Sequence, residues 1–216
     1  MDTYQTLGNP VPDTYAGTIV VDRYGYLLHD GKNSCRVFLC ENNQMTLLGE
    51  LGGEIQADYI YTNLLQRNAK AAKALWNPFK FRQLVKTKGE WDLKNNKKTI
   101  FGLVNGKSTR FIYKDSGIKP EDIGNHHFGY IAKAYGLFPE EFILRQAGKY
   151  QIKAGTSKPE WQHAESFNPI LCANPMSAGP AVHQLLAPYG DNPRDQLWIQ
   201  KGFEEYRKAR RMKGKR

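Results

Sequence analysis

Asp92, Lys94, His127, Asp191 and Asp195 are the residues whose types and spacing could do chemistry in this chain. Asp92 and Lys94 belong to Trp91-Asp92-Leu93-Lys94. In an extended segment they share one face, a carboxylate beside an ammonium. On an open surface such a pair contributes little; in a cleft it orients a phosphate or a sugar and tunes a general base. His127 lies in Gly124-Asn125-His126-His127-Phe128-Gly129-Tyr130, and histidine, titrating nearest neutrality, suits proton transfer. On a helix His127, Tyr130 and Ile131 share a face, and His126 points about 100° away. The alternative is a His–Tyr hydrogen bond inside a helix interface. In Asp191-Asn192-Pro193-Arg194-Asp195, Asn192 is a good N-cap, Pro193 suits the first helical position and Asp195 fits a capping box. That leaves Asp191 without an obvious local task. Asp191 and Asp195 together with Asp92 are a candidate ligand set for a hard divalent cation, and whether a metal is needed stays open. No zinc spacing, phosphate-binding glycine loop or nucleophile elbow occurs in the sequence, and His163 and His183 are isolated.

The elements that must hold these groups follow from periodicity. Residues 1–13, with Pro10 and Pro12, read as a linker or arm. Residues 14–55 read as a β-rich module: runs at Thr18–Val21, Tyr26–His29, Cys35–Leu39 and Met45–Leu51 are separated by turn residues. From Gln56 the period becomes helical to about Trp76, and Asn77-Pro78 caps a second helix. Thr99–Val104 and Arg110–Tyr113 read as a hairpin around Asn105-Gly106. Helices are expected from Pro120 to near Gly136, from Pro139 to near Gly155, and from Pro193 onward. Residues 156–190 are too long for an inert connection and are a candidate site-lining loop. The fold class is therefore α+β: a small N-terminal antiparallel β module, then a mostly helical domain (56–216) with one short hairpin.

The chain has 216 residues and a formal charge of +10, from 31 basic and 21 acidic side chains. Hydrophobic content of 40% excludes wholesale disorder. The charge points to a polyanionic partner, part of it residing in the tail Arg207–Arg216. Cys35, Cys40 and Cys172 form neither a metal pattern nor a disulfide framework. No apolar run reaches the ~20 residues of a membrane span, and nothing reads as a cleavable signal peptide.

In order, Trp91-Asp92-Leu93-Lys94, Gly124-Asn125-His126-His127-Phe128-Gly129, Ala147-Gly148, Gln151, Gly155-Thr156, Trp161 and Asp191-Asn192-Pro193-Arg194-Asp195-Gln196 resemble the polymorphic toxin type 44 family, over about residues 55–206. Leu93 stands where that family has an aromatic residue, and Asn192 replaces one acid of an Asp-Asp pair. The resemblance implies a C-terminal toxin domain of Rhs-type and other secreted antibacterial proteins. It also implies export by a dedicated system, action inside a rival bacterium and neutralisation by a cognate immunity protein, for which an acidic partner suits a basic toxin. It implies cleavage of RNA, with His127 as general base or acid, Asp92 orienting it, Lys94 and Arg145 offsetting phosphate charge, and Asn125, His126, Tyr130 and Gln151 binding substrate. Two alternatives remain: a peptidoglycan hydrolase using Asp92 with Asp191 or Asp195 as paired carboxylates, and a non-enzymatic polyanion-binding module.

Overall fold

A computed structural model describes residues 17–31, 34–104, 108–167 and 182–214. Its main sheet has seven strands, β1 (Ile19–Val21), β2 (Leu27–Asp30), β3 (Arg36–Glu41), β4 (Gln44–Glu50), β5 (Glu54–Gln56), β6 (Arg110–Tyr113) and β7 (Ser116–Ile118), in the order β2-β1-β3-β4-β5-β6-β7. The fold is α+β, as the sequence implies. The four expected N-terminal runs all become strands, and the β3–β4 turn has Asn42 and Asn43 at φ 51° and 61°, the conformation a tight type I′ connection demands.

Two features differ from expectation. The sheet is mixed rather than antiparallel, because β1 pairs with β3 and β5 with β6 in parallel. The β5–β6 pairing registers Ile55 with Phe111 and carries the sheet from the N-terminal strands into the later hairpin. That hairpin is also placed differently. Residues Ile100–Leu103 form a short helix, α3, whose N-cap Thr99 accepts a hydrogen bond from the Gly102 amide at 3.2 Å. Arg110–Tyr113 instead pairs with Ser116–Ile118 across Lys114-Asp115, both at positive φ. The Asn105-Gly106 turn lies outside the described residues, as do segment 1–13 and Cys172.

The helices match their sequence signals. They are α1 (Asp58–Lys73), α2 (Pro78–Val85), α4 (Pro120–Tyr135), α5 (Glu140–Lys153) and α6 (Pro193–Lys213), the last running through the basic tail. Asn77 and Asn192 cap α2 and α6, each accepting from the amide two residues on, at 2.8 and 2.9 Å. Part of the 156–190 segment is a second sheet, β8 (Ala164–Phe167) with β9 (Val182–Leu185).

Helix α4 is the centre of the molecule, almost entirely buried, and its most extensive contact is with α6. Gly129 leaves space for the Ile199 carbonyl of α6, and Gly202 returns it for the His126 carbonyl of α4. The backbones therefore touch, and side chains just outside this crossing are brought together. On its other side α4 packs on α1 through Ile123, with Tyr61, Leu64 and Phe101 completing the core.

Candidate functional site

Lys94, Gln151 and the pair Asp191 and Asp195 converge from three places in the sequence. Asp195, in the first turn of α6, has its Oδ2 3.8 Å from Lys94 Nζ and accepts from Gln151 Nε2 of α5 at 3.1 Å. Both members of the Lys94–Asp195 pair keep solvent access, at 30% and 20% side-chain exposure. The Lys94 stem lies across Gly124, where any side chain would displace it. Asp122 holds the start of α6 to α4: its buried carboxylate receives Arg194 Nε and Nη2 at 3.0 and 2.5 Å, a bidentate pair with fixed geometry.

Asp191 has the local task that the sequence does not disclose. Its Oδ1 accepts from the Asn192 amide at 3.0 Å and its Oδ2 from Gln196 Nε2 at 3.1 Å, so Asp191, not Asp195, completes the helix cap. Asp191 is 2% exposed. Burial pushes its carboxyl up to about 6, with Asp195 adding to the rise and Gln196, Asn192 and Lys94 opposing it. Asn125 is buried on the α4 stripe between Asp122, which holds Arg194, and Gly129, which meets Ile199. That spacing turns it toward the first turns of α6, and its Nδ2 has no hydrogen-bond partner among the described residues.

The other expected site residues lie apart from this group. Trp91–Lys94 is a turn, not an extended segment: Asp92 Oδ2 accepts from the Lys88 amide at 2.8 Å and from Asn95 Nδ2 at 2.7 Å. The Asp92 carboxylate closes that loop and does not orient a histidine. His127 is fully buried and accepts from Asn68 Nδ2 of α1 at 2.9 Å through Nε2. Its Nδ1 has no well-formed partner among the described residues. Burial, with a push from His126 and a weak opposing pull from the Trp91 backbone, lowers it to about 3. It is a neutral core residue and a poor general base, the interface alternative with Asn68 in place of a tyrosine. Tyr130 packs edge-on against Tyr206 at 5.3 Å between centroids. Arg145 pairs with Glu141 at 2.7 Å, reaches the Leu185 carbonyl at 3.2 Å and stacks over Tyr189. Among the described residues no three His, Cys, Asp or Glu side chains are grouped to hold a metal, so the Asp92–Asp191–Asp195 cation set is not assembled. The His183 side chain lies outside the described residues.

His126 belongs to a separate polar cluster on the far side of the helix crossing. Its Nδ1 meets the Tyr61 hydroxyl at 2.9 Å and its Nε2 lies 3.3 Å from Glu205 Oε2. Tyr113 donates to Glu205 Oε1 at 2.5 Å, and Lys114 Nζ is 2.9 Å from the same oxygen. Burial alone would raise Glu205, but His126, Tyr113 and Lys114 together hold it down to about 2.

Residues 80–208, more than half of the chain, match the family described as bacterial toxin 44; the match takes in the Lys94–Asp195 group and, apart from Tyr61, the His126–Glu205 cluster. The chain belongs to the bacterial toxin 44 family. No curated protein and no solved structure matches it. As a bacterial toxin domain it implies a cognate immunity protein, and no helix among the described residues is long and apolar enough to cross a membrane. Two acidic residues of these clusters carry no signal of their own in the sequence. Asp122 was hidden in an ordinary acidic first turn of a helix. Glu205 was hidden beside the apolar stripe Ile199, Phe203 and Tyr206, although Trp198, Lys201 and Glu205 repeat at helical spacing next to that stripe.

Proposed function

We propose that this chain is an antibacterial toxin that cleaves RNA in the cytoplasm of a competing bacterium, with Lys94 and Asp195 as its acid–base pair. The observation that carries this reading is the solvent-reachable Lys94–Asp195 contact at 3.8 Å, backed by the buried carboxylate of Asp191. A carboxylate next to a cation, in a protein of net charge +10, suits a phosphodiester, where charge accumulates on non-bridging oxygens as the bond breaks.

In the proposed step Asp195 takes the proton of a ribose 2′-hydroxyl and the 2′-oxygen attacks phosphorus. The bond from phosphorus to the 5′-oxygen breaks, and that oxygen takes a proton from Lys94. The products are a 2′,3′-cyclic phosphate and a 5′-hydroxyl, and Lys94 recovers its proton from Asp195 across their short separation. Gln151 orients the Asp195 carboxylate, and Asp191 acts as a positioning residue whose negative charge attracts Lys94.

This arrangement predicts that kcat/KM on an RNA substrate rises with pH through about 6, as Asp191 ionises. Asp191→Asn should remove that limb, and Lys94→Ala or Asp195→Asn should lower cleavage by about 10²-fold or more with folding retained. Incubation of the purified chain with total RNA is the direct test; intact RNA, with and without Mg²⁺, alongside undiminished toxicity would end the reading.

The nearness of Asp191 to Asp195, whose charge helps to raise the Asp191 carboxyl, favours a second reading as a peptidoglycan hydrolase. Toxicity confined to periplasmic expression would select it. Toxicity that survives both Lys94→Ala and Asp195→Asn would instead select a non-enzymatic polyanion-binding module. Delivery by a dedicated secretion system and an acidic immunity protein complete the proposal, the latter because complementary charge speeds association with a basic toxin.

A further inference from the structure

A groove of about 450 Å³ runs beside α6, its lining including Tyr113, Lys114, His126, Trp198, Lys201 and Glu205 together with Glu204 and Lys208. Its floor is electrically settled. The Glu205 carboxylate is saturated by Tyr113, Lys114 and His126, so it neither repels an anion strongly nor leaves Lys114 fully available. The remaining charges are unequal. Lys201 and Lys208 are exposed and form no ion pair with a carboxylate among the described residues, while Glu204, exposed as well, is the acid that opposes them beside the already paired Glu205. Lys201 Nζ lies 3.9 Å from the centroid of the half-buried Trp198 ring. When the exposed Lys201 amine swings from the ring to a phosphate, the indole face it leaves is a surface onto which a nucleobase can stack.

Position along the helix gives the groove its meaning. Asp195, Trp198, Lys201, Glu205 and Lys208 follow one another at three- and four-residue steps on adjoining faces of α6. At 1.5 Å per residue the run from Asp195 to Lys208 spans about 20 Å. It starts at the candidate catalytic pair and ends in the basic last turns with Arg210, Arg211 and Lys213.

We propose that this groove is a second binding site, taking single-stranded nucleic acid along α6 with a base on Trp198 and phosphates on Lys201 and Lys208. The site rests on the nucleic-acid reading above and extends it: the strand leaves the catalytic pair by this track. Recognition is by stacking and charge, so it is tolerant of sequence.

The test is fluorescence anisotropy of the full chain with a labelled 2′-O-methyl oligonucleotide, which cannot form the cyclic phosphate, across a salt series. The Lys201→Ala/Lys208→Ala variant should bind about tenfold more weakly and lower the salt-dependence slope by about 1.4, the loss of two single-strand phosphate contacts. Trp198→Ala should weaken binding about tenfold with the slope unchanged. Asp195→Asn should bind at least as tightly as the parent while losing cleavage. Thermal unfolding of each variant checks that the fold is kept, and the exposed lysines supply a readout that does not depend on the half-buried indole. Parental affinity and slope in the lysine variant would overturn the groove while leaving the Lys94–Asp195 reading intact. Absence of oligonucleotide binding by the parent at low salt, with toxicity retained, would overturn both.

Discussion

His126 and His127 are adjacent in sequence and lead opposite lives. A helix separates neighbouring side chains by about 100°, so His127 faces Asn68 in the core while His126 reaches Glu205 at the groove. Their types were legible in the sequence; which of them reaches the groove was not, because both are buried and that depends on how α1 and α6 pack around α4. Asp191 is a similar case. Its residue type signals chemistry, but its burial and its bond to Gln196 are set by the depth at which α6 begins. The His127–Asn68 bond predicts a structural phenotype. His127→Ala removes a buried ring and strands the Asn68 amide, and should cost about 2–4 kcal/mol in urea unfolding. Any loss of toxicity should track the fraction folded, and should be recovered at lower temperature where the variant is native.

Helices that begin at Pro or at Asn-Pro were readable to within a residue or two, because fixed φ and an N-cap are local properties. So were the N-terminal strands, whose turns carry their own signatures. The two misplaced elements share a cause. Trp91–Lys94 alternates like a strand, and Ile100–Leu103 is as apolar as one, but side chains override both patterns: Asp92 ties down the Lys88 amide and Thr99 caps Gly102. The β5–β6 pairing was beyond reach because it joins segments more than fifty residues apart and no local signal encodes a parallel partner. The α4–α6 crossing gives the prediction at this scale. A methyl at Gly129 would be driven into the Ile199 carbonyl, and one at Gly202 into the His126 carbonyl. Backbone cannot rotate aside as a side chain can, so Gly129→Ala and Gly202→Ala should each destabilise by about 2–3 kcal/mol. Each should also loosen Asp195 from Lys94, so that activity falls by more than the loss of folded protein, measured at a temperature where both variants are fully native.

For the molecule as a whole, three ionisable groups, buried His127 and Asp191 and half-buried Glu205, set how stability responds to acid. His127 is lowered from 6.5 to about 3. The unfolded chain therefore binds a proton below 6.5 that the native state refuses, and stability falls by about 1.4 kcal/mol for each pH unit on the way down to about 3. Asp191 is raised from 3.8 to about 6. Here the native state takes up a proton first, and stability grows by a similar amount per unit as pH falls from about 6 to about 4. Over that interval the two slopes nearly cancel. Below it Asp191 is protonated in both states and contributes no further change. Glu205, lowered from 4.5 to about 2, then adds its own loss to that of His127. The expected profile of unfolding free energy is level for these groups between about pH 6 and 4.5, then falls at up to about 2.7 kcal/mol per unit below pH 4. Asp191→Asn removes the compensating slope, so its stability should decline from about pH 6.5 downward where the parent holds level. Urea titrations of the two proteins at matched ionic strength make the comparison. Parallel profiles from pH 6.5 to 4 would mean that Asp191 is ionised in the native state throughout, and that the buried carboxylate behind Asp195 does not hold its proton.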